Sequence, residues 1–507
     1  MKFSFNLIDQ PWIPCIKPNG DLIELGIRDT LFRAGEFREI SADSPIVTLS
    51  LHRLLLAILH RIFGPANRSE WEQLWIAKQW NQKMISQYLL QWEQRFDLFD
   101  PTTPFYQDPH LKRKPETIAG LVQGVAAGND ATLFNHRTEE SDFSLSPAQA
   151  ARTLITVHTF GLAGLKDPGN TFTDSTCSRV INFLVQGRNL FETLILNLYR
   201  YPLLEDQIPH TDKDRPSWEW DDPFIQDQSR PYGYLDYLTW MNRRILFIPE
   251  QSDKGTIVST IYYEPGLRLP QSFFNPDAHY RIDEKKGAIP LRFNEGKRLW
   301  RDSTVLFEFS AEQKNSRTPY VMKWLNQLVH EVILPKESLF QILAFGMCTE
   351  PGKDKVYFLG QENLPLPFQY LENPKYVEEL NNALILSKNV GKIVWGAINK
   401  LIKLFMAPLK GDNSNLKEAD DLVVHTGGEK RYWAELESPF KSLIIQIPQN
   451  TAKALEQWKE KLNRIAWIAF DQAVNSLGDN PRVWKALPSA RRQLANGLYK
   501  QFHPDRK

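Results

Sequence analysis

The chain has 507 residues, of which 42% are hydrophobic and 24% charged, and its formal net charge is +1. This length predicts at least two domains with a substantial core, and the near-neutral charge excludes a general attraction to nucleic acid, so any such contact must be local. The three cysteines are far apart and the longest apolar run is too short to span a membrane, which favours a protein of the reducing cytoplasm with no membrane partner.

The N-terminal region predicts a hairpin and then a helix. Two apolar runs bracket a Pro-Asn-Gly turn at 18–20, which is typical of a β-hairpin, and we expect Trp12 and its neighbouring prolines to form an edge strand. Apolar residues at helical spacing then predict a buried helix over 45–63, with His52 and Arg53 on its margin.

Residues 124–166 have the character of a surface arranged to contact a partner. Ser146 and Gln149 form a capping-box pattern around Pro147, which predicts a helix from Pro147 to about His158. The roughly twenty residues before this helix show no period, and such a segment is typical of either a binding loop or a mobile surface loop.

Two glycines and a lysine follow that helix. Gly161 and Gly164 would let the backbone approach a ligand, and Lys166 supplies a positive charge. A helix C-cap explains Gly161 equally well, so both interpretations stay open.

The middle of the chain, 201–371, predicts mixed α and β structure. Alternating apolar residues at 244–248 and 256–263 indicate strands, and 341–359 reads as a hairpin with a type II turn. A separate cluster of acidic residues with a nearby histidine is the best metal-site candidate, although an exposed loop is the favoured interpretation. The cluster consists of His210, Glu219, Asp221 and Asp222.

Helical periodicity dominates from Asn373 onward. It predicts helices over 377–404, around 416–443, over 452–477 and after Pro481. The elements together predict an α+β protein, in which a large irregular mixed α/β domain (1–371) precedes a C-terminal four-helix bundle (372–507).

The C-terminal segment 481–507 is locally basic. It holds seven Lys or Arg residues against one Asp, a charge of +6 before His503, and includes Arg491 and Arg492. A solvated face is the ordinary interpretation, whereas in a DNA-handling complex such a face would follow a displaced strand. No phosphate-binding, nucleophile-elbow or zinc-protease motif occurs in the sequence, which favours a binding protein over an enzyme.

Several short motifs, spread in order over nearly the whole chain, resemble the CasA family, the large subunit of the type I-E CRISPR surveillance complex called Cascade. The opening residues 6–14, NLIDQPWIP, resemble the start of that family. The later motifs are at 104–107, 131–135, 216–218, 233–235, 299–302 and 425–440.

The resemblance implies a set of DNA-binding residues. Phe134 and Asn135 fall in the first DNA-facing loop of the family, Gly161 and Gly164 fall near its glycine loop, and Arg268 falls where a family lysine enters the minor groove. The predicted hairpin corresponds to a strand-parting wedge whose tip would be formed by Pro351, Gly352 and Lys353. An ordinary connecting hairpin is the alternative interpretation of the same residues. The family has a glutamine near that tip, and this sequence has none.

The resemblance also implies a function and partners. The subunit would recognise a protospacer-adjacent motif in double-stranded target DNA, help to start strand separation, and recruit a helicase-nuclease that cuts. Other Cascade subunits and CRISPR RNA would be its partners, and base pairing by the RNA would read the target. No catalytic residue, cofactor or metal is expected, since the cysteine-rich motif of some members is absent.

A second hypothesis comes from a different class of protein. The chain would be a stand-alone, metal-dependent cytoplasmic hydrolase with its site at the acidic cluster around Glu219. Purification separates the two hypotheses, because only the first expects bound RNA and partner subunits.

Overall fold

The computed structural model of this protein describes residues 3–122, 143–168, 170–200, 208–224, 230–253, 255–270, 273–307, 316–349, 356–406 and 415–503. The chain forms two compact units. The first contains Met1–Arg298, Ala311–Leu334 and Phe340–Asn363, and the second contains Leu299–Ser310, Pro335–Leu339 and Leu364–Lys507.

The described residues hold fourteen α-helices, and the longest are in the second unit. They are α1 Ile27–Phe32, α2 Pro45–Phe63, α3 Arg68–Ala77, α4 Gln82–Gln91, α5 Pro147–Phe160, α6 Leu190–Leu196, α7 Tyr234–Leu238, α8 Tyr320–His330, α9 Gln369–Glu372, α10 Pro374–Met406, α11 Asn415–His425, α12 Gly428–Gln446, α13 Thr451–Ser476 and α14 Pro481–Phe502.

The described strands form small sheets of two or three members. They are β1 Ile13–Ile16, β2 Leu22–Leu25, β3 Glu39–Ile40, β4 Glu116–Thr117, β5 Gly164–Asp167, β6 Asn170–Phe172, β7 Asn182–Gln186, β8 Arg243–Ser252, β9 Gly255–Pro265, β10 Tyr280–Asp283, β11 Gly287–Pro290, β12 Ser316–Arg317, β13 Leu339–Thr349 and β14 Val356–Pro367. The strand orders are β2–β1–β3, β4–β9–β8, β11–β10–β12, β14–β13–β7 and β5–β6.

The predicted N-terminal hairpin is confirmed, but its first strand does not lie at an edge. β1 pairs with β2 on one side and with β3 on the other, so the prediction of an edge strand is wrong. The short β3 pairs only with Cys15 and Ile16. Pro14 follows the same side of the sheet through its carbonyl, which accepts from the Ser41 N–H at 3.0 Å, a bond that does not require the N–H that proline lacks.

The predicted helix over 45–63 is confirmed as α2, yet two of its polar residues are in the core. His52 and Arg53 are only 2% and 3% exposed, so their predicted place on the helix margin is wrong. Arg53 donates through Nη1 to Asp277 Oδ2 at 2.7 Å, and Tyr199 donates to the other carboxylate oxygen at 3.0 Å. The charge is tolerated in the core because a distant part of the chain supplies its counter-ion.

Among the described helices, α2 is the one whose length and composition would suffice to cross a membrane. In its most apolar 18-residue window, 78% of the residues are buried inside the protein. This degree of burial is typical of a helix in the hydrophobic core, and α2 is such a helix.

The capping box of α5 is confirmed. Ser146 Oγ accepts from the Gln149 backbone N–H at 3.3 Å, and Gln149 Oε1 accepts from the Ser146 N–H at 3.0 Å. The helix continues to Phe160, two residues beyond the predicted end, and packs against α2 and β9. Its C-terminus leads directly to the predicted glycines.

Both strands predicted in the middle region are confirmed as parts of β8 and β9. These strands pair antiparallel along nearly their whole length, with a bulge between Ile248 and Pro249. β4 adds to the free side of β9 through Glu116 and Thr117. The resulting three-stranded sheet supports the surface described below.

The helical character predicted for the C-terminal region is confirmed, with five helices from α10 to α14 in the described residues. The segment predicted around 416–443 is two helices, because Gly427 adopts a left-handed conformation with φ of +69° between α11 and α12. α10 contacts each of the four helices that follow it. The turn Leu299–Leu306 joins this unit through Trp300, whose ring lies 4.7 Å from that of Phe440.

Candidate nucleic-acid interface

Five of the predicted DNA-binding residues lie outside the described residues. They are Phe134, Asn135, Pro351, Gly352 and Lys353. The structure places the other six, Gly161, Gly164, Lys166, Arg268, Arg491 and Arg492, in three different environments.

Gly161 is buried, and the structure gives it a packing role. It caps α5, and a Cβ there would lie 2.7 Å from the Val157 carbonyl oxygen, 2.9 Å from Arg243 Nη2 and 3.0 Å from Ser175 Oγ. No ligand is needed to explain a glycine at this position, because the surrounding protein already fills the space of a side chain. Its place in the structure matches the C-cap interpretation of the sequence.

Arg243 holds together the two ends of a small hairpin that follows Gly161. Its guanidinium donates to the Leu162 oxygen at 2.7 Å and to the Thr173 oxygen at 2.9 Å, and it lies 4.7 Å from the centre of the Phe172 ring. Arg243 is 1% exposed, so the hairpin β5–β6 stands on a rigid, buried base.

The hairpin itself presents side chains to solvent. Gly164 pairs with Phe172 and Leu165 pairs with Thr171, and Leu165 is 74% exposed. Lys166 points back toward the sheet, where it forms an ion pair with Glu116 and lies 5.4 Å from the centre of the Tyr263 ring. Since the Lys166 side chain is only 13% exposed, its charge is largely committed to the protein.

Arg268 lies beside this hairpin although about a hundred residues separate them in sequence. Its side chain is exposed, and Nη2 donates to the Thr171 oxygen at 3.4 Å. A long contact of this kind orients the guanidinium weakly and leaves its other donors to solvent. The structure therefore brings together two features that the sequence suggested separately, the glycine-containing hairpin and Arg268.

A third basic element, which our sequence reasoning missed, joins the same surface. Lys112, Arg113 and Lys114 are consecutive and exposed. Arg113 forms an ion pair of 3.6 Å with Glu264, whose other carboxylate oxygen accepts from Asn170 of the hairpin at 2.8 Å. The run of three cations was visible in the sequence, but its proximity to the hairpin was not.

We name this region the hairpin surface and define it by residues 112–114, the hairpin strands 164–167 and 170–172, and Arg268. Its exposed cations can hold phosphate groups, and Arg268 can enter a minor groove, where arginine reads groove width and acceptor atoms. On α5, burial lowers the pKa of His158 to about 4, so this imidazole is neutral at physiological pH. It is a packing residue whose Nε2 lies 3.1 Å from the Tyr106 oxygen.

The predicted wedge hairpin is described up to its last strand residues. β13 and β14 are neighbours in one sheet, and the side chains next to their tip are tied together. The Cys348 thiol lies 2.9 Å from the Tyr357 hydroxyl and donates to the Phe293 oxygen at 3.2 Å. The strands that would carry a wedge are therefore firmly held, while the tip, 350–355, lies outside the described residues.

The family model for the CRISPR-associated protein Cse1 matches residues 6–469. The CasA/Cse1 protein of Thermus thermophilus is 30% identical over 98% of this chain and 97% of its own length. This chain belongs to the Cse1 (CasA) family. The crystal structure of Thermus thermophilus CasA superposes with a TM-score of 0.81 and 27% identity, covering 98% of this chain and all of that one. A structure described as a CRISPR RNA-guided surveillance complex contains a chain with a TM-score of 0.75 and 22% identity, covering 97% of this chain and 99% of that one.

The two C-terminal arginines of this Cse1 family member have different environments. Arg491 on α14 forms an ion pair of 3.0 Å with Asp471 on α13, and both side chains are about half exposed. Arg492, the next residue, is exposed on another side of the same helix. Of these two arginines, Arg492 can therefore contact a ligand without the loss of an ion pair, whereas Arg491 would first have to separate from Asp471.

The acidic cluster of the hydrolase hypothesis is not an assembled metal site in this Cse1 family member. Glu219 is 6% exposed and accepts from Arg61 at 2.8 Å and from Tyr88 at 2.7 Å, so the favoured interpretation of an exposed loop is also wrong for this residue. Asp221 is fully exposed and pairs with Arg95, and His210 is exposed as well. In the part of the chain that the structure describes, no group of three His, Cys, Asp or Glu residues could hold a metal ion.

Proposed function

We propose that this Cse1 family member is a non-catalytic subunit of an RNA-guided surveillance complex, assembled with other Cascade subunits and CRISPR RNA. In this complex it recognises a short protospacer-adjacent motif in double-stranded DNA. Family membership supports the assembly, since a related fold occurs in a complex of that description. The observation that carries DNA recognition is the exposed Arg268 beside the hairpin 164–172, on a surface that also holds three consecutive cations.

The hairpin surface combines a reading group with positioning groups. Lys112, Arg113 and Lys114 would hold phosphates of the duplex and carry no sequence information. Arg268 would read the minor groove, whose acceptor pattern distinguishes A·T from G·C pairs but not the orientation of a pair. We therefore expect tolerant recognition, in which several related motifs are accepted. Because Lys166 already forms an ion pair with Glu116, its role on this surface would be to stabilise the hairpin and not to bind phosphate.

Strand separation is assigned to the hairpin formed by β13 and β14. A rigid pair of strands can insert at the first base pair beside the motif and destabilise it. Because the free energies of the DNA duplex and of the RNA–DNA heteroduplex that replaces it are nearly equal, a small local destabilisation decides whether opening begins. Once the strands are open, the subunit recruits a helicase-nuclease that degrades the target. The chain itself does no cutting.

Duplex binding by the assembled complex tests the proposed role of Arg268. Arg268→Ala should weaken binding to a target with the correct motif by at least about fivefold, since a groove contact of this kind is worth ~1–3 kcal/mol. Arg281→Ala is the matched control, because Arg281 is also exposed but lies on β10. Both variants should bind guide-complementary single-stranded DNA like the wild type.

Two outcomes of this experiment would contradict the proposed role of Arg268. If Arg281→Ala weakens duplex binding as much as Arg268→Ala, the effect is one of general charge and the hairpin surface is not the reader. If Arg268→Ala binds motif-containing and motif-free duplexes as the wild type does, Arg268 does not contact the motif.

A further inference from the structure

In the second unit, the C-terminal two-thirds of α10 and the whole of α14 carry positive charge without any acidic residue. From Ile385 to Met406, α10 has four lysines and no Asp or Glu, and the 22 residues of α14 have five basic residues and no Asp or Glu. The whole chain carries a net charge of only +1. Nine positive charges are therefore concentrated on one pair of helices.

These helices pack closely, and their contact shows which residues share a face. A Cβ on Gly396 would lie 3.3 Å from Gln493 Nε2, and a Cβ on Gly497 would lie 2.5 Å from Ile393 Cγ2. Moving forward along α10 corresponds to moving backward along α14, so the helices run antiparallel. On a helical wheel, the exposed residues of both helices then fall on the same side of their contact.

The shared surface consists of basic side chains with aromatic residues between them, and we name it the α10–α14 face. Its exposed members are Lys388, Lys392, Trp395, Lys403, Lys485, Arg492, Tyr499 and Lys500. In the described part of the chain, no ion pair occupies any of these six cations. Trp395 is 42% exposed and Tyr499 is 50% exposed, so both rings offer surface to a ligand.

The aromatic residues decide which kind of ligand fits. By the antiparallel pairing of Ile393 with Gly497, Trp395 and Tyr499 are offset along the helix axes by roughly 6 Å, close to two base steps of ~3.4 Å. An acidic protein surface would form ion pairs with the cations but would not require the exposed aromatic rings. A duplex would use the cations as well, but its bases are already stacked. Unpaired nucleotides use both, because phosphates bind the cations and bases stack on the rings.

We infer that the α10–α14 face binds single-stranded nucleic acid, with bases stacked on Trp395 and Tyr499 and phosphates held by Lys392, Arg492 and their basic neighbours. This inference stands apart from motif recognition in duplex DNA, since it concerns different residues in the second unit. It also predicts little sequence preference, because every base has a face that can stack.

Fluorescence anisotropy with the full chain tests the inference. The probe is a labelled 20-nucleotide oligothymidylate, compared with a 20-base-pair duplex, and poly-glutamate is the competitor. We expect the oligothymidylate to bind more tightly than the duplex and to resist poly-glutamate at equal charge concentration. Trp395→Ala with Tyr499→Ala should weaken its binding by at least about fivefold, whereas Trp395→Phe with Tyr499→Phe should stay close to the wild type.

Salt dependence tests the phosphate contacts separately. Lys392→Glu with Arg492→Glu should reduce the slope of log affinity against log salt by about 1.4, which is two contacts at roughly 0.7 each for a single strand. Lys285→Glu with Lys286→Glu is the control, because it changes the net charge equally at exposed residues of the first unit. It should leave the slope unchanged.

Three results would overturn the inference. The alanine pair could bind oligothymidylate as tightly as the phenylalanine pair, which would show that the rings do not stack. Poly-glutamate could displace the probe as readily as unlabelled oligothymidylate, and the face would then suit an acidic protein. The two charge reversals could change the salt slope equally, so that no particular face binds phosphates.

Discussion

Replacing Gly161 by alanine separates a packing role from a ligand-binding role. An alanine Cβ would lie 2.7 Å from the Val157 oxygen and 2.9 Å from Arg243 Nη2, both too close for ordinary contact. The Val157 oxygen is main chain and already accepts from the Gly161 N–H at 2.8 Å, so Arg243 or the end of α5 must move.

The size of the effect follows from what must move. Overpacking a full site costs ~1–3 kcal/mol, and losing one hydrogen bond from a buried guanidinium costs a similar amount. We therefore expect Gly161→Ala to destabilise the base of the β5–β6 hairpin by about 2–3 kcal/mol. Gly120→Ala is the control, since no heavy atom lies within 4 Å of a Cβ there, and its stability should change by less than ~0.5 kcal/mol.

Hydrogen exchange measures this locally. Exchange of amides in α5 and in the hairpin 164–172 should become about 30- to 150-fold faster in Gly161→Ala, while Gly120→Ala exchanges like the wild type. The reasoning is refuted if Gly161→Ala keeps wild-type exchange and unfolding but loses DNA binding. In that case Gly161 would face the ligand and would not be a packing residue.

Three further predictions concern stability and DNA opening. Burial lowers the pKa of three histidines to between about 3 and 4. These residues are His52, His60 and His158. As the pH falls below 6.5 these histidines bind protons in the unfolded chain before they do so in the folded one, so each should reduce the free energy of unfolding by about 2 kcal/mol by pH 5. An equal free energy of unfolding in urea at pH 7 and pH 5 would contradict this. Gly164→Asp should weaken duplex binding by the complex without changing its unfolding midpoint, because a carboxylate on the hairpin surface repels phosphates; equal binding at matched salt would refute it. Replacing 350–355 with a glycine linker should leave motif binding intact and slow R-loop formation in stopped-flow experiments. A target that is already unpaired beside the motif should restore the rate of R-loop formation. If the rate is not restored, the step lost in this variant is not strand separation.

Local signals in the sequence were sufficient for several elements. The capping box at Ser146 and Gln149 marked the start of α5, because its hydrogen bonds join residues three positions apart. The alternation in β8 and β9 and the periodicity of α10 were equally local. Each of these signals depends on neighbours within one or two turns of chain.

Three of the predictions that failed were overturned by a distant partner. Arg53 is in the core because Asp277 lies there, 224 residues later, and Glu219 is buried because Arg61 and Tyr88 reach it from α2 and α4. β1 is a central strand because β3 pairs with its far side. No periodicity within a segment reports such a partner, since burial of a charge depends on what the fold brings to it.

The same division applies to the candidate surfaces. The family resemblance, the charge of the C-terminal helix, Arg268 and the cationic run 112–114 can all be read directly from the order of amino acids. The folded chain adds that Glu264 links the cationic run to the hairpin, that Thr171 links Arg268 to it, and that Lys166 is already paired. The physical reason is that charge is a property of each residue, whereas exposure and proximity are set by long-range packing.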